Sequence, residues 1–118
     1  NNLARTLANQ GRHTEALPLY TEALQISLSP TGFGADHINT AAFRANQAIS
    51  ELALGRAQVA RALLIEALTV MDQALPERHP QRLNAIGTLI DAEAALGNHA
   101  RASQLKGWLA APAETPAP

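Results

Sequence analysis

Four histidines are the side chains in this sequence most able to carry chemistry, and one of them directly follows an aspartate. The pair stands in the stretch GADHINT, residues 34–40, and the other histidines are His13, His79 and His99. A carboxylate beside an imidazole can bind a metal ion or form part of a catalytic dyad. Which of these roles is available depends on the elements that position the histidines.

Composition indicates a single all-α domain. A chain of 118 residues predicts one domain with a core of its own. Hydrophobic residues make up 47% of the chain and aromatic residues only 3%, so alanine and leucine supply most of the apolar surface. Both are strong helix formers, and the β-branched residues never alternate as they would in a strand.

Charge and residue usage exclude several functional classes. The formal net charge is −1, and the few aromatic residues are dispersed, which disfavours nucleic-acid binding. No apolar run approaches the length of about 18 to 20 residues that a membrane span needs. Because the sequence has no cysteine, disulfides, zinc–thiolate sites and thiol catalysis are excluded. This usage fits a cytoplasmic protein.

Three similar segments organise the chain around three glycines. Gly11, Gly55 and Gly97 are spaced 44 and 42 residues apart, and alanine follows each of them after five residues. Nine and twelve residues after the glycines stand further residues that we expect to pack between helices. The predicted packing residues are Ala16, Tyr20, Ala23, Ala60, Leu64, Ala67, Ala102 and Leu109.

Each segment is interpreted as two helices joined at its glycine, where a left-handed backbone conformation closes the first helix. We refer to the three as the hinge glycines. The predicted A helices span about 1–10, 38–54 and 80–96, and the B helices about 14–29, 57–75 and 98–110. The repeat domain thus covers residues 1–110, in units of about 1–29, 38–75 and 80–110. The proline-rich tail 111–118 is expected to be disordered.

At this level the sequence resembles a tetratricopeptide repeat. The likeness lies in Asn-Asn-Leu-Ala at 1–4, Gln-Gly-Arg at 10–12 and Glu-Ala-Leu-Pro-Leu-Tyr at 15–20. The long spacing is similar to the branch typified by kinesin light chain and its bacterial relatives. In that branch a Gly-x-Asp-His-Pro-x-Thr loop often precedes helix A, and GADHINT matches it except at Ile38. HEAT and armadillo repeats have similar periods and remain the alternative fold.

The resemblance implies an α-α superhelix, a right-handed solenoid of about two and a half repeats with six helices. It also implies a concave groove, lined by the A helices, that binds a protein or peptide. The asparagines at 2 and 46 match a position where the branch often binds a ligand backbone. The groove residues implied are Asn2, Arg5, Asn9, Ala45, Asn46, Ile49, Ala53, Thr88, Asp91 and Ala95.

The repeat gives the four histidines two structural positions. His13 and His99 each stand two residues after a hinge glycine, and His37 and His79 each stand eighteen residues before one. Neighbouring helices pack about 8–10 Å apart, too far for equivalent imidazoles to share one metal. We therefore predict no metal and no cofactor. Asp36 is expected to cap the second A helix, with His37 supporting the turn.

Catalytic groups are also missing from the sequence pattern. Ser50 and Ser103 have no histidine and acid at a plausible spacing, and Asp91 and Glu93 point to different faces of one helix. The chain is therefore predicted not to be an enzyme. Its predicted function is a non-catalytic scaffold that binds protein or peptide.

The short first A helix favours a fragment of a larger protein, whose exposed N-terminal edge could self-associate through Leu3 and Leu7. Two alternatives remain open: a regulatory or assembly arm of a multidomain signalling enzyme, and a structural oligomerisation unit.

Overall fold

The described part of the chain forms six helices arranged as three consecutive hairpins. The computed structural model describes residues 2–112 and 114–118, with the side chain of Asn2 left out. The A helices are α1 (Asn2–Asn9), α3 (Ile38–Ala53) and α5 (Pro80–Ala95). The B helices are α2 (His13–Leu28), α4 (Ala57–Ala74) and α6 (His99–Ala110). The described residues contain no strand, and the prediction of an all-α helical repeat fold is confirmed.

The hinge glycines end the three A helices in the same way. Gly11, Gly55 and Gly97 have φ angles of 80°, 83° and 82°, in the left-handed region that glycine adopts without steric cost. After each glycine, the next backbone N–H donates to a carbonyl in the last turn, five residues back, over 2.8 Å in all three hairpins. These bonds satisfy carbonyls that the helix end would leave free.

Two separate apolar clusters form the interior. The main core lies among α3, α4, α5 and α6 and includes Leu64, Met71, Ile90 and Trp108. A smaller first-hairpin core consists of Ala4, Leu7, Ala16 and Tyr20. Each hairpin therefore buries alanines where its helices approach closely and larger side chains in the space between them.

A polar seam joins the first hairpin to the second. The Thr40 hydroxyl donates to the Gly34 carbonyl over 2.6 Å, and its oxygen lies 3.1 Å from Ser27 Oγ, within hydrogen-bond distance. His13 Nδ1 lies 2.9 Å from Ser50 Oγ. We call Ser27, Thr40, Ser50 and His13 the polar seam. Ser27, Thr40 and Ser50 are buried, so satisfied hydrogen bonds, rather than apolar packing, connect these elements there.

The predicted packing residues lie where the helices meet, with a changed register in α6. Ala16, Tyr20, Ala60, Leu64, Ala67 and Ala102 are buried, whereas Ala23 and Leu109 are half-buried. Helix α6 buries Leu105 and Trp108, and Lys106, which aligns with Tyr20 and Leu64, is exposed. A shift of the buried face by one residue thus keeps the lysine in solvent and places the tryptophan in the core.

The tail, which we expect to be disordered, makes contacts in the structure. Trp108 Nε1 donates to the Thr115 carbonyl over 2.9 Å, and the Ala117 N–H donates to Glu77 Oε1 over 2.9 Å. The Arg78 guanidinium lies 4.3 Å from the centre of the Trp108 ring and donates to the Pro112 carbonyl. A buried indole N–H needs an acceptor, and the tail supplies it.

Candidate functional site

A cavity of about 580 Å³ crosses the three A helices. We call it the A-helix groove, and it is lined by Arg5, Asn9, Asn39, Ala42, Phe43, Ala45, Asn46, Ile49, Met71, Gln81, Asn84, Ala85 and Thr88. Its lining residues lie towards the C-terminal end of α1 but towards the N-terminal end of α5. The groove therefore runs obliquely across the stack rather than along one level of it.

The groove is polar and carries little charge. Five of its lining side chains are amides, and Arg5 is the one charged side chain among the described lining residues. Within the described part of the chain, the side-chain amides of Asn46 and Asn84 have no hydrogen-bond partner. The Thr88 hydroxyl, in contrast, donates to the backbone carbonyl of Asn84 over 3.1 Å. An amide offers both a donor and an acceptor, so α3 and α5 each present a group that can pair with a peptide unit.

The structure brings together six of the residues that the resemblance implies. These are Arg5, Asn9, Ala45, Asn46, Ile49 and Thr88. Ala53, Asp91 and Ala95 do not line the cavity and are exposed nearer the C-terminal ends of α3 and α5. The side chain of Asn2 lies outside the described residues.

Seven lining residues were missed by the sequence reasoning: Asn39, Ala42, Phe43, Met71, Gln81, Asn84 and Ala85. Apart from Met71, which belongs to α4, they continue the faces of Asn46 and Thr88 towards the start of each helix at spacings of three, four and seven residues. This periodicity was available in the sequence. The oblique direction of the groove was not, because it depends on how successive hairpins are placed.

The histidines before α3 and α5 are helix caps. His37 Nδ1 accepts the Asn39 N–H over 3.0 Å, and His79 Nδ1 accepts the Gln81 N–H over 3.2 Å. The expectation that Asp36 caps α3 is therefore wrong, since His37 occupies the cap position and Asp36 lies outside it. The His37 ring also stacks on Phe33, with 4.5 Å between ring centroids. An imidazole acceptor satisfies an otherwise free N–H in the first turn of each helix.

His13 and His99 begin α2 and α6, and His13 has a serine neighbour that the sequence reasoning did not find. We expect no histidine and acid at a plausible spacing from Ser50, and the histidine half of that expectation is wrong, because His13 Nδ1 lies 2.9 Å from Ser50 Oγ. The two residues are 37 positions apart, and only the packing of α2 on α3 brings them together. Ser50 is fully buried, and the described residues offer His13 no carboxylate partner, so the pair ties two hairpins together.

Tyr20 and Glu93 are two buried titrating groups whose pKa is shifted by their surroundings. Burial raises the pKa of the Tyr20 hydroxyl, against an opposing effect from the charge of Arg5. Burial alone would also raise the pKa of the Glu93 carboxyl. Hydrogen bonds from Asn98 and Arg61, together with the charges of Arg61 and Arg101, outweigh burial and hold that pKa below its ordinary value. Neither Tyr20 nor Glu93 lines the A-helix groove, although Arg5, which opposes the shift at Tyr20, does.

Neither a metal centre nor a membrane span is present in the described part of the chain. No group of three histidine, aspartate or glutamate side chains there is placed to hold a metal ion. No helix there has both the length and the apolar character to cross a membrane.

Comparison with known proteins identifies the repeat. The family model described as tetratricopeptide repeat matches residues 1–73, which is more than half of the chain. No curated protein and no solved structure gives a significant match. Tetratricopeptide repeats are generally protein-interaction scaffolds. On its matched sequence and its three helical hairpins, the chain belongs to the tetratricopeptide repeat family.

Proposed function

We propose that the protein binds an extended peptide segment of a partner in the A-helix groove, without catalysis. The observation that carries the proposal is the set of amide side chains which α1, α3 and α5 direct to one cavity. An extended peptide presents an N–H and a C=O at each residue, and amides pair with both. The half-buried ring of Phe43, in the same lining, adds apolar contact area.

The test is a selection of linear peptides from a random display library against the protein, followed by binding measurements on two variants. We expect Asn46→Ala to weaken the selected peptides by about tenfold, which corresponds to the loss of about 1.4 kcal/mol. Gln73→Ala is the matched control, because Gln73 is an exposed amide on α4 outside the groove. Helical circular dichroism should be unchanged in both variants. Selected peptides that bind Asn46→Ala as well as the parent protein would contradict the proposal.

We further infer that the repeats belong to the long branch typified by kinesin light chain. Its support is the period of 42 to 44 residues, compared with about 34 for the ordinary tetratricopeptide unit. Helices α3 and α4, of 16 and 18 residues, account for the extra length. Bacterial origin and cytoplasmic location remain predictions.

Self-association through α1 is a second candidate function, favoured by one observation. Leu3 is 61% exposed, next to the first-hairpin core, while Leu7 is buried within that core. An exposed leucine beside an apolar core can contact another protein surface. Sedimentation at increasing concentration should show association that Leu3→Glu abolishes. A strict monomer at all concentrations excludes this candidate and the oligomerisation unit, while leaving peptide binding and a role as an arm of a signalling enzyme open.

A further inference from the structure

Equivalent glutamates stand at the two interfaces between hairpins, but they accept different numbers of hydrogen bonds. The carboxylate at the α4–α5 interface has two donors, and the one at the α2–α3 interface has one. Glu51 and Glu93 each stand four residues before a hinge glycine and are buried despite their charge. Glu93 Oε1 accepts from Asn98 Nδ2 over 2.9 Å and from Arg61 Nε over 2.7 Å. Glu51 Oε1 accepts from Arg56 over 2.9 Å, the residue equivalent to Asn98. Glu51 thus has the donor from its own loop but lacks the one from the preceding B helix.

The missing donor is explained by one residue. Arg61 stands six residues after its hinge glycine, and the equivalent residue in the first hairpin is Leu17. Leu17 and Glu51 line the same surface cavity, of about 640 Å³, between α2 and α3. We call it the α2–α3 cavity. The α4–α5 interface thus has the guanidinium of Arg61, whereas the α2–α3 interface has Leu17 and open space at the equivalent position.

Other acceptors gather at the α2–α3 cavity. Gln47 Oε1, in its lining, is buried and has no hydrogen-bond partner within the described residues. Leaving a buried amide oxygen unpaired costs free energy that a donor would recover. Pro18, also in the lining, has no N–H, so the Thr14 carbonyl loses its usual helical donor. The cavity therefore presents a buried acceptor without a donor, Gln47 Oε1, together with the Glu51 carboxylate, which has one donor.

Charge at the α2–α3 cavity favours a cation. Its lining contains the carboxylates of Glu51 and Glu22 and only one cation, Arg56, among the described residues. The side chain of Glu51 is 10% exposed, so its charge is screened by water less than that of a surface carboxylate. An incoming cation meets an excess of negative charge in a partly desolvated place.

We propose that the α2–α3 cavity binds an arginine side chain of a partner protein, in the position that Arg61 holds at the next interface. A guanidinium carries five donors in one plane, enough to reach Glu51 and Gln47 together. An ammonium has no such planar fork. This site lies outside the A-helix groove, and it does not depend on peptide binding there.

The experiment titrates N-acetylarginine amide into isotopically labelled protein and follows backbone amide shifts. N-acetylcitrulline amide is the neutral control, because its side chain has the same shape without the charge. We expect saturable shifts around Glu51, Gln47 and Thr14 with arginine, at a dissociation constant of about 1 mM, and none with citrulline. Equal shifts with both compounds would overturn the proposal.

Two variants separate this site from general attraction between charges. Glu51→Gln should weaken arginine binding at least tenfold, while Asp36→Asn, at an exposed carboxylate outside the cavity, should leave it unchanged. Leu17→Arg should raise the melting temperature and abolish binding of the probe, because it supplies the missing guanidinium within the chain. Unchanged probe binding in folded Leu17→Arg protein would show that arginine does not occupy this position, even where Glu51→Gln fails to fold.

Discussion

At the scale of single residues, Glu93 shows how a buried charge can stabilise the stack. Its carboxylate is 3% exposed and accepts hydrogen bonds from Asn98 and Arg61. Burial alone disfavours the charged form, but these donors and the charge of Arg101 reverse the effect. Glu93 thereby links α4, α5 and the start of α6, and its pKa lies below the ordinary value for a glutamate carboxyl.

The lowered pKa predicts how stability responds to acid. Because the folded protein releases the Glu93 proton more readily than the unfolded chain, the stabilisation is complete above about pH 4.3. It is lost as the pH falls through the lower folded value. Urea unfolding at a series of pH values should show a smaller acid-induced loss for Glu93→Gln than for the parent protein. Asp91→Asn, at an exposed carboxylate of the same helix, is the control. Identical pH profiles for the parent and Glu93→Gln would contradict this assignment.

The capping role of His79 leads to a second prediction. His79→Ala should reduce the free energy of unfolding by about 1 kcal/mol, since the Gln81 N–H loses its acceptor. His79→Ser should recover most of that loss, because a serine hydroxyl can accept the same N–H. Chemical denaturation of both variants measures the difference. If serine and alanine are equally destabilising, the imidazole acts through some contact other than the cap.

Contacts between residues far apart in the sequence were the least predictable feature of the structure. The equivalence of His37 and His79 was visible from their distance to the hinge glycines, and both cap a helix. Arg61 with Glu93 and His13 with Ser50 are pairs separated by 32 and 37 positions. Such pairs depend on the rotation and height of one helix against the next, which a periodic pattern does not specify.

At the scale of helices, substitutions at Gly55 and Gly87 have opposite predicted effects on stability. Gly55 has a φ of 83° and open space where a Cβ would lie, so only the backbone resists substitution there. Gly87 lies within α5, also with open space at its Cβ position, and shows no positive φ. Adding a side chain at Gly55 therefore strains the folded backbone. Adding one at Gly87 instead lowers the conformational entropy of the unfolded chain, which favours folding.

We expect Gly55→Val to destabilise the protein by about 1–2 kcal/mol, because a β-branched residue resists the left-handed conformation. Gly87→Ala should stabilise it by up to about 1 kcal/mol, since alanine is the better helix former. Melting temperatures of the two variants, measured side by side, check both signs. Unchanged melting of Gly55→Val would mean that its backbone conformation does not end α3.

Helix positions were predictable from the sequence because glycine and the apolar period act locally. The ends of α3 and α5 fall within one residue of the predicted bounds. The faces that helices present were less predictable. Helix α6 buries Trp108 rather than following the register of Tyr20 and Leu64, and the A-helix groove excludes Asp91. Both outcomes depend on what lies opposite the helix, including tail residues whose composition alone indicated disorder.

At the scale of the whole molecule, the divided interior predicts unequal stability along the stack. The first-hairpin core has four members, including Leu7 and Tyr20, whereas the main core extends through α3–α6. Between them lies the polar seam, whose hydrogen bonds contribute little net stabilisation because water replaces them on opening. In a repeat array each unit is stabilised mainly by its neighbours, so the hairpin with the smaller core should open first.

The sequence contains one tyrosine and one tryptophan, and each reports on one core. Tyr20 lies in the first-hairpin core and Trp108 in the main core. In a urea titration, the absorbance change of Tyr20 should therefore precede the fluorescence change of Trp108. Hydrogen exchange should be faster for the amides of α2 than for those of α4 at urea concentrations below both transitions. Thr40→Val removes a hydrogen bond of the polar seam and leaves the buried Ser27 hydroxyl without its partner. It should therefore increase the difference in urea concentration between the two transitions. Coincident transitions in the parent protein would show that the seam couples the two cores strongly enough to unfold them as one unit.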